Sequence, residues 1–557
     1  MEQYADGFTV EYLVPVDTGA SPGPAASPIS SRTTRAPSPA ASPSSASPEA
    51  ITNVEFVNPI SDLGDALDAD HDDDAPLRFR TLGNILGDVD VPGLAERELA
   101  REALYLTSAE EPRTFKEAEQ DPRWRAAKVD ELKAIEENGT WELVPRHAGH
   151  CPIGLKWVFK VKCDEHGEIV RHKARLITKG YVQRQGIDFE EVFSPIVRIE
   201  SVRLLLAVTA CEGWEVHHMD VKTAFLNGEP LEEVYVEQAP GFTTPGAGDK
   251  VYHLKHALYS LRQAPRMWNA KLDGTLRCLG FKRSDTEHAV YVRAEGNTHL
   301  IVGMYVDDLV ITGSTVECIR RFKEEMGAMF KMSDLGRLSY YLGIDVKQNA
   351  AGITICQSAY AKKILEVGGI TGCNPCATPM ETRLKLSKKS TCAHVDTTQY
   401  RSIVGSIRYL IHSQPDLMYS VGYVSRFMEE PREDHLAAVK RILRYVAGTL
   451  HLDCSFNRWK TGDPRLLGFS DSDMASDVDD RKSTTGTFFF LERCPISWSS
   501  LKQKVVALSS CEAKYIAAAM AACQGVWLAR LLAEVRGGEP ARVKINVDNK
   551  SAISVET

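Results

Sequence analysis

At 557 residues, 43% of them apolar, the chain is long enough for several domains and apolar enough to pack them. No apolar run approaches the roughly 20 residues of a membrane-spanning helix, and the opening M-E-Q-Y-A-D-G lacks the apolar core of a signal peptide; neither a membrane partner nor secretion is expected. The net charge of −9 hides an uneven split: residues 1–110 carry 19 acidic and 6 basic side chains, a balance of −13, so the remainder stands at +4. A mildly basic body suits a polyanionic partner.

The 13 cysteines are scattered, which argues against a disulfide framework and for a reducing compartment. Cys373 and Cys376 form a C-x-x-C with no second pair nearby, so zinc is not expected there.

In chain order, residues 20–50 are rich in Ser, Pro and Ala, too polar and too broken to pack. Residues 61–74 read as a solvated acidic run, because their spacing and glycine placement are wrong for a calcium loop. All of 1–110 is expected to be a disordered linker. Next, K-W-V-F-K-V-K and I-V-R-H-K-A-R-L flank Asp164-Glu165-His166-Gly167 and predict a hairpin. Lys173 and Arg175 on its returning strand suit phosphate oxygens, or are merely solvated.

Glu215–Gly228, E-V-H-H-M-D-V-K-T-A-F-L-N-G, predicts a strand ending near Asp220 and then a tight turn. His217 and His218 read as surface or packing residues, since a hard divalent cation prefers oxygen. Leu258 to Leu272 predicts a helix interrupted near Pro265.

Tyr305-Val306-Asp307-Asp308 lies between L-I-V-G-M and L-V-I-T-G, two strand-like runs that predict a hairpin. Adjacent carboxylates repel, and holding both ionised beside apolar strands is costly without a cation. Aspartate is also common in plain turns, so the motif alone leaves that reading open. Asp220, a third carboxylate at a distant strand end, favours a two-metal site. Such a site activates an attacking hydroxyl and stabilises a leaving pyrophosphate.

Residues 433–447 predict an amphipathic helix with Lys440, Arg441 and Arg444 toward one side, solvated or against a nucleic-acid backbone. From Leu466, L-L-G-F-S-D-S-D, R-K-S-T-T-G-T-F-F-F-L and P-I-S-W-S-S predict three strands, followed by a helix and a fourth strand, V-K-I-N-V-D-N. Asp471 ends the first strand, Glu512 opens the helix and Asp548 ends the fourth. Each has a plain alternative. Glu512 completes a capping box with Ser509, and Asp471 and Asp473 suit a turn.

D-V-K-T-A-F-L-N-G, E-E-V-Y-V-E-Q-A-P-G-F, L-Y-S-L-R-Q-A-P-R-M-W and Y-V-D-D occur in this order. With T-W-E-L-V, K-W-V-F-K-V-K, H-K-A-R-L and Q-G-I-D-F-E-E-V-F-S-P upstream, the chain over about 111–557 resembles the reverse transcriptase of copia-type long-terminal-repeat retrotransposons. The resemblance implies an α+β fold in four parts. A disordered linker at 1–110 precedes right-hand polymerase fingers and palm at 111–385, a connection region at 386–460 and a C-terminally truncated ribonuclease H-like α/β domain at 461–557. The chain looks like a C-terminal piece of a polyprotein.

By the same resemblance, Asp220, Asp307 and Asp308 hold two Mg2+ about 3.5–4 Å apart. Lys173 and Arg175 meet the triphosphate, and Gln263 contacts nucleotide and template. Phe225 excludes a 2′-hydroxyl, with core packing as the plain alternative. Ser260 replaces a usual glycine, at a cost of about 1 kcal/mol if its φ is positive. Asp471, Glu512 and Asp548 correspond to three of four carboxylates for two further Mg2+ on the RNA strand of an RNA–DNA hybrid. Lys514 stands where an acidic residue is usual, and the last carboxylate and its helix would lie past Thr557. Weak or absent hybrid cleavage and a mobile C-terminal lobe are therefore expected. The implied activity is RNA-directed DNA synthesis on an RNA template from a DNA primer and dNTPs, in cytoplasmic particles. The alternative is an inactive remnant that at most binds nucleic acid.

Overall fold

The computed structural model describes residues 8–12, 111–112, 114–146, 151–163, 169–296, 298–459 and 464–552. Within 1–110, the strand Phe8–Tyr12 corrects the expectation of disorder: it pairs antiparallel with Val543–Val547. F-T-V-E-Y alternates apolar and polar residues, which is strand chemistry over a short window. The Ser/Pro/Ala tract and the acidic run lie outside the described residues, as does the Asp164–Gly167 loop.

The segment expected to be the fingers is built on the antiparallel strands Leu155–Cys163 and Ile169–Thr178. Trp157, Phe159, Ala174 and Leu176 turn inward to meet Trp124, Ala127 and Ile135 of helix Pro122–Glu137. Alternation of period two supplies that face. Asp121 caps the helix by accepting from Arg123 N at 2.8 Å, with Pro122 in the first turn, where no amide is needed.

The segment expected to be the palm folds as a six-stranded antiparallel sheet. Its order is Met332–Arg337, Glu215–Val221, Asp308–Gly313, Thr298–Tyr305, Val290–Glu295 and Lys282–Arg283. Helix Val316–Met329 covers it with Ile319, Phe322 and Met326, while Glu317, Arg320 and Glu324 pair on the solvent side. Helix Ile199–Glu212 is apolar almost all round, because it lies between this sheet and the C-terminal part. Leu258 to Gln263 is not helical; the helix is Ala264–Cys278, with Pro265 in its first turn. Proline starts this helix, where its missing N–H and fixed φ fit, and does not interrupt it.

The connection region is mainly helical, with Thr397–Leu410, Met418–Val424 and Glu433–Gly448. Its strand Cys454–Asn457 completes a sheet with Tyr340–Tyr341, Ile344–Asn349 and Gly352–Cys356. Arg441 and Arg444 are engaged within the protein. Arg441 bonds Glu381 at 3.1 Å and Thr378 at 3.0 Å, and Arg444 Nε donates to Asn374 O at 2.8 Å. They tie down the segment leaving the palm.

The last part is a five-stranded sheet ordered Phe8–Tyr12, Val543–Val547, Leu466–Ser472, Thr484–Leu491, Cys494–Lys502. The Leu466–Ser472 and Val543–Val547 strands run parallel and are joined across helix Ser510–Arg536. That 27-residue helix has a mean hydropathy of 1.5 in its most apolar stretch, long and apolar enough to cross a bilayer by length and composition alone. It escapes a search for unbroken apolar runs because Lys514, Gln524 and Arg530 interrupt it. Ala513, Ala517, Ala521, Gly525 and Leu528 are buried. A side chain at Gly525 would meet Val543 at 3.2 Å, so glycine sets the approach of helix to sheet.

One continuous core joins this lobe to the six-stranded sheet. Arg203, 2% exposed, donates to Ile496 O at 2.8 Å and His412 O at 3.1 Å and lies 3.6 Å from the Trp498 ring. Glu534 accepts from Thr286 Oγ1 at 2.5 Å, and Arg198 stacks on Trp527.

Candidate functional site

Strands Thr298–Tyr305 and Asp308–Gly313 close with Tyr305 opposite Asp308, leaving Val306 and Asp307 as a two-residue turn. Val306 has φ +55, a region a β-branched residue avoids. Two bonds hold the strain in place: Val306 O accepts from Trp268 Nε1 at 2.6 Å, and Asp307 O accepts from Val221 N at 2.8 Å. The second bond fastens the turn to the end of strand Glu215–Val221.

In that strand Asp220 sits opposite Asp308. His218 lies two residues before Asp220, hence on the same face. Its Nε2 is 2.9 Å from Asp308 Oδ1, and its ring packs edge-on to Tyr341 at 5.8 Å. Sequence reasoning puts His218 at the surface or in packing and misses its bond to Asp308. His217 turns the other way, to Glu215 at 3.2 Å and Lys323 at 2.9 Å. Asp220 is paired with Lys222. Burial, then the Asp308 charge and, further down, the Asp220 charge, raise the Asp307 pKa, while Arg175 opposes the rise. A carboxylate raised this way is short of positive charge.

The donor set is all hard oxygen, which fits magnesium. The arrangement is open, however. Among the described residues no three Asp, Glu, His or Cys side chains converge closely enough to hold an ion.

Phe225 is half-buried in the single turn Ala224–Asn227 and meets Tyr259 edge-on at 5.8 Å. The Arg175 guanidinium lies 5.5 Å from the other partner in this group, the Tyr259 ring. Tyr259, which sequence reasoning did not single out, thus links the fingers to the turn after Asp220. Arg175 is exposed, whereas Lys173 is half-buried opposite Lys160. Gln263 is buried with both ends of its amide engaged: Oε1 accepts from Gln183 Nε2 at 3.0 Å and Nε2 donates to Asp188 O at 3.0 Å. It braces the 183–188 loop. Ser260 has φ +67, and its carbonyl lies so close to Gly180 that a side chain at Gly180 would overlap it.

In the last sheet, Asp471 is the penultimate residue of its strand and Asp548 follows Val547 directly. Lys514 binds both, Asp471 Oδ1 at 2.8 Å and Asp548 Oδ2 at 2.6 Å. Glu512 faces the helix start, where its Oε2 accepts from Leu508 N at 2.7 Å and its amide donates to Ser509 Oγ at 3.1 Å. Ser509 makes its half of a capping box, while the Glu512 carboxylate reaches one residue further back, to Leu508. Here the residues do not fit a divalent metal, because an ammonium already takes the carboxylates.

Residues 138–382, which hold the six-stranded sheet and the two-stranded hairpin, match the family described as reverse transcriptase (RNA-dependent DNA polymerase). The chain is 40% identical over 418 residues to the retrovirus-related Pol polyprotein from transposon RE1 of Arabidopsis thaliana, covering 75% of this chain and 28% of that one. It is 39% identical over 437 residues to the Pol polyprotein from transposon TNT 1-94 of Nicotiana tabacum, covering 76% and 33%. A putative transposon Ty5-1 protein of Saccharomyces cerevisiae is 34% identical over 305 residues, covering 54% of this chain and 98% of its own length. The chain belongs to the copia-type retrotransposon reverse transcriptases, and it spans a third or less of the two plant polyproteins.

Proposed function

We propose that the chain is an RNA-directed DNA polymerase that copies an RNA template from a DNA primer and dNTPs. The observation that carries this reading is the pairing of Asp220 opposite Asp308, with Asp307 held in a strained turn between them. Asp220, Asp307 and Asp308 would hold two magnesium ions, which supply Lewis acidity toward the primer 3′-hydroxyl and the leaving pyrophosphate. The chain's own residues do the positioning. His218 orients Asp308, and Trp268 with Val221 fixes the turn. Arg175, exposed beside Tyr259, is placed to meet a triphosphate, with Lys173 on the same strand. Phe225 closes the sugar side, and Gln263 acts by bracing the fingers loop.

In this reading 111–385 is fingers and palm, 386–460 the connection, and 461–557 a ribonuclease H-like lobe with impaired cleavage, working in cytoplasmic particles. Ser260 at φ +67 in place of a usual glycine, and Lys514 between Asp471 and Asp548, favour the second reading, an inactive remnant that binds nucleic acid. Magnesium-dependent primer extension on an RNA template separates the two, with Asp307→Asn as control. Extension that disappears in the control supports a working polymerase. A folded parent without extension supports the remnant.

A further inference from the structure

We propose that Lys514 is a built-in counter-cation that keeps the C-terminal lobe free of divalent metal; this rests on the ribonuclease H-like reading of that lobe. The side chain leaves the first turns of helix Ser510–Arg536. Its ammonium bonds Asp471 Oδ1 and both oxygens of Asp548. An ammonium has three donors, and three bonds are made, so its capacity is filled. The lysine side chain is 17% exposed, against 73% for Asp471 and 63% for Asp548. The cation thus sits on the inner side of the pair, with outer oxygens facing water.

A divalent ion entering between Asp471 and Asp548 meets a fixed positive charge within bonding distance of both. It must tolerate that repulsion or expel a largely buried ammonium from all its acceptors. Glu512 offers no compensation, since its carboxylate satisfies the helix N-terminus through Leu508. All three carboxylates are thus bonded from within the chain, and Lys514 offsets one of the two charges of the Asp471–Asp548 pair. Glu534 and Trp527 dock the lobe on the rest of the chain. It is a metal-free buttress for the polymerase.

The test uses the full chain carrying Asp220→Asn and Asp307→Asn, so that the polymerase site does not compete. Bound Mn2+ is counted by electron paramagnetic resonance. With Lys514 present, the lobe should take up no Mn2+ at micromolar concentration. Lys514→Ala, or Lys514→Met with similar volume, should create one site at least about tenfold tighter, lost again on adding Asp471→Asn. Equal Mn2+ binding with and without Lys514 overturns the proposal. So does the absence of a new site in both substituted proteins once circular dichroism shows them folded. Hybrid cleavage measured in parallel separates the two layers: metal gained without cleavage supports the counter-cation alone, and metal gained with cleavage supports the nuclease-like reading as well.

Discussion

His218 Nε2 stands 2.9 Å from Asp308 Oδ1 across neighbouring palm strands, and His218 is buried. An ionised carboxylate only accepts, so the ring donates, and its edge-on contact with Tyr341 limits its rotation. His218 is therefore a positioning residue for a carboxylate at the site. His218→Ala should lower kcat for primer extension about 10- to 100-fold and raise the magnesium needed for half-maximal rate. His218→Gln, which keeps a donor, should recover much of the loss. An unchanged magnesium dependence in His218→Ala would reduce the residue to packing.

Asp307 should destabilise the metal-free fold when it ionises. Burial, Asp308 and Asp220 raise its folded pKa above the unfolded value. Between the two values the folded state binds more protons, so stability falls as pH rises through that window. Asp307→Asn removes the ionisation. It should raise Tm at pH 7 without magnesium, and the advantage should shrink toward pH 4. Magnesium should raise the parent's Tm but not the variant's. Melts at both pH values, with and without metal, check all three statements.

The hairpin around Asp307 and the strand ending at Asp220 were legible because apolar alternation and turn chemistry are local signals. The partners of these aspartates were not. His218 reaches Asp308 from 90 residues away, and only the register of two strands decides that contact. Arg203 reads as one more basic residue on a helix, yet its acceptor at Ile496 is 293 residues distant. Lys514 was legible as a change of charge, but not as the group that joins Asp471 to Asp548. The helix start at Ala264 was missed because proline was taken as an interruption and not as a first-turn residue.

Ser260 carries a removable strain. Its φ of +67 costs a non-glycine residue about 1 kcal/mol. Ser260→Gly should raise stability by up to about that amount, seen as a higher urea midpoint at unchanged m-value. Gly180, by contrast, faces the Ser260 carbonyl with no room for a methyl group. Gly180→Ala should destabilise the fingers and lower extension, because the clash is with backbone and cannot be relieved by rotating a side chain.

Arg203 decides whether the C-terminal lobe moves with the palm. It is a buried polar group in the seam, bonded to two carbonyls and stacked on Trp498. Truncation leaves Ile496 O and His412 O without this donor, each worth about 1–3 kcal/mol when buried and unmet. The lost cation–π contact adds to that. Arg203→Ala should therefore cost about 3–5 kcal/mol, whereas Arg203→Met, which keeps the stem volume, should cost less. Amide hydrogen exchange locates the damage. In the parent, helix Ser510–Arg536 should exchange as slowly as the palm helix Ile199–Glu212, since they share one core. In Arg203→Ala the lobe should exchange faster while the fingers hairpin is unchanged. Equal acceleration everywhere would mean that Arg203 supports global stability and not the docking of the lobe.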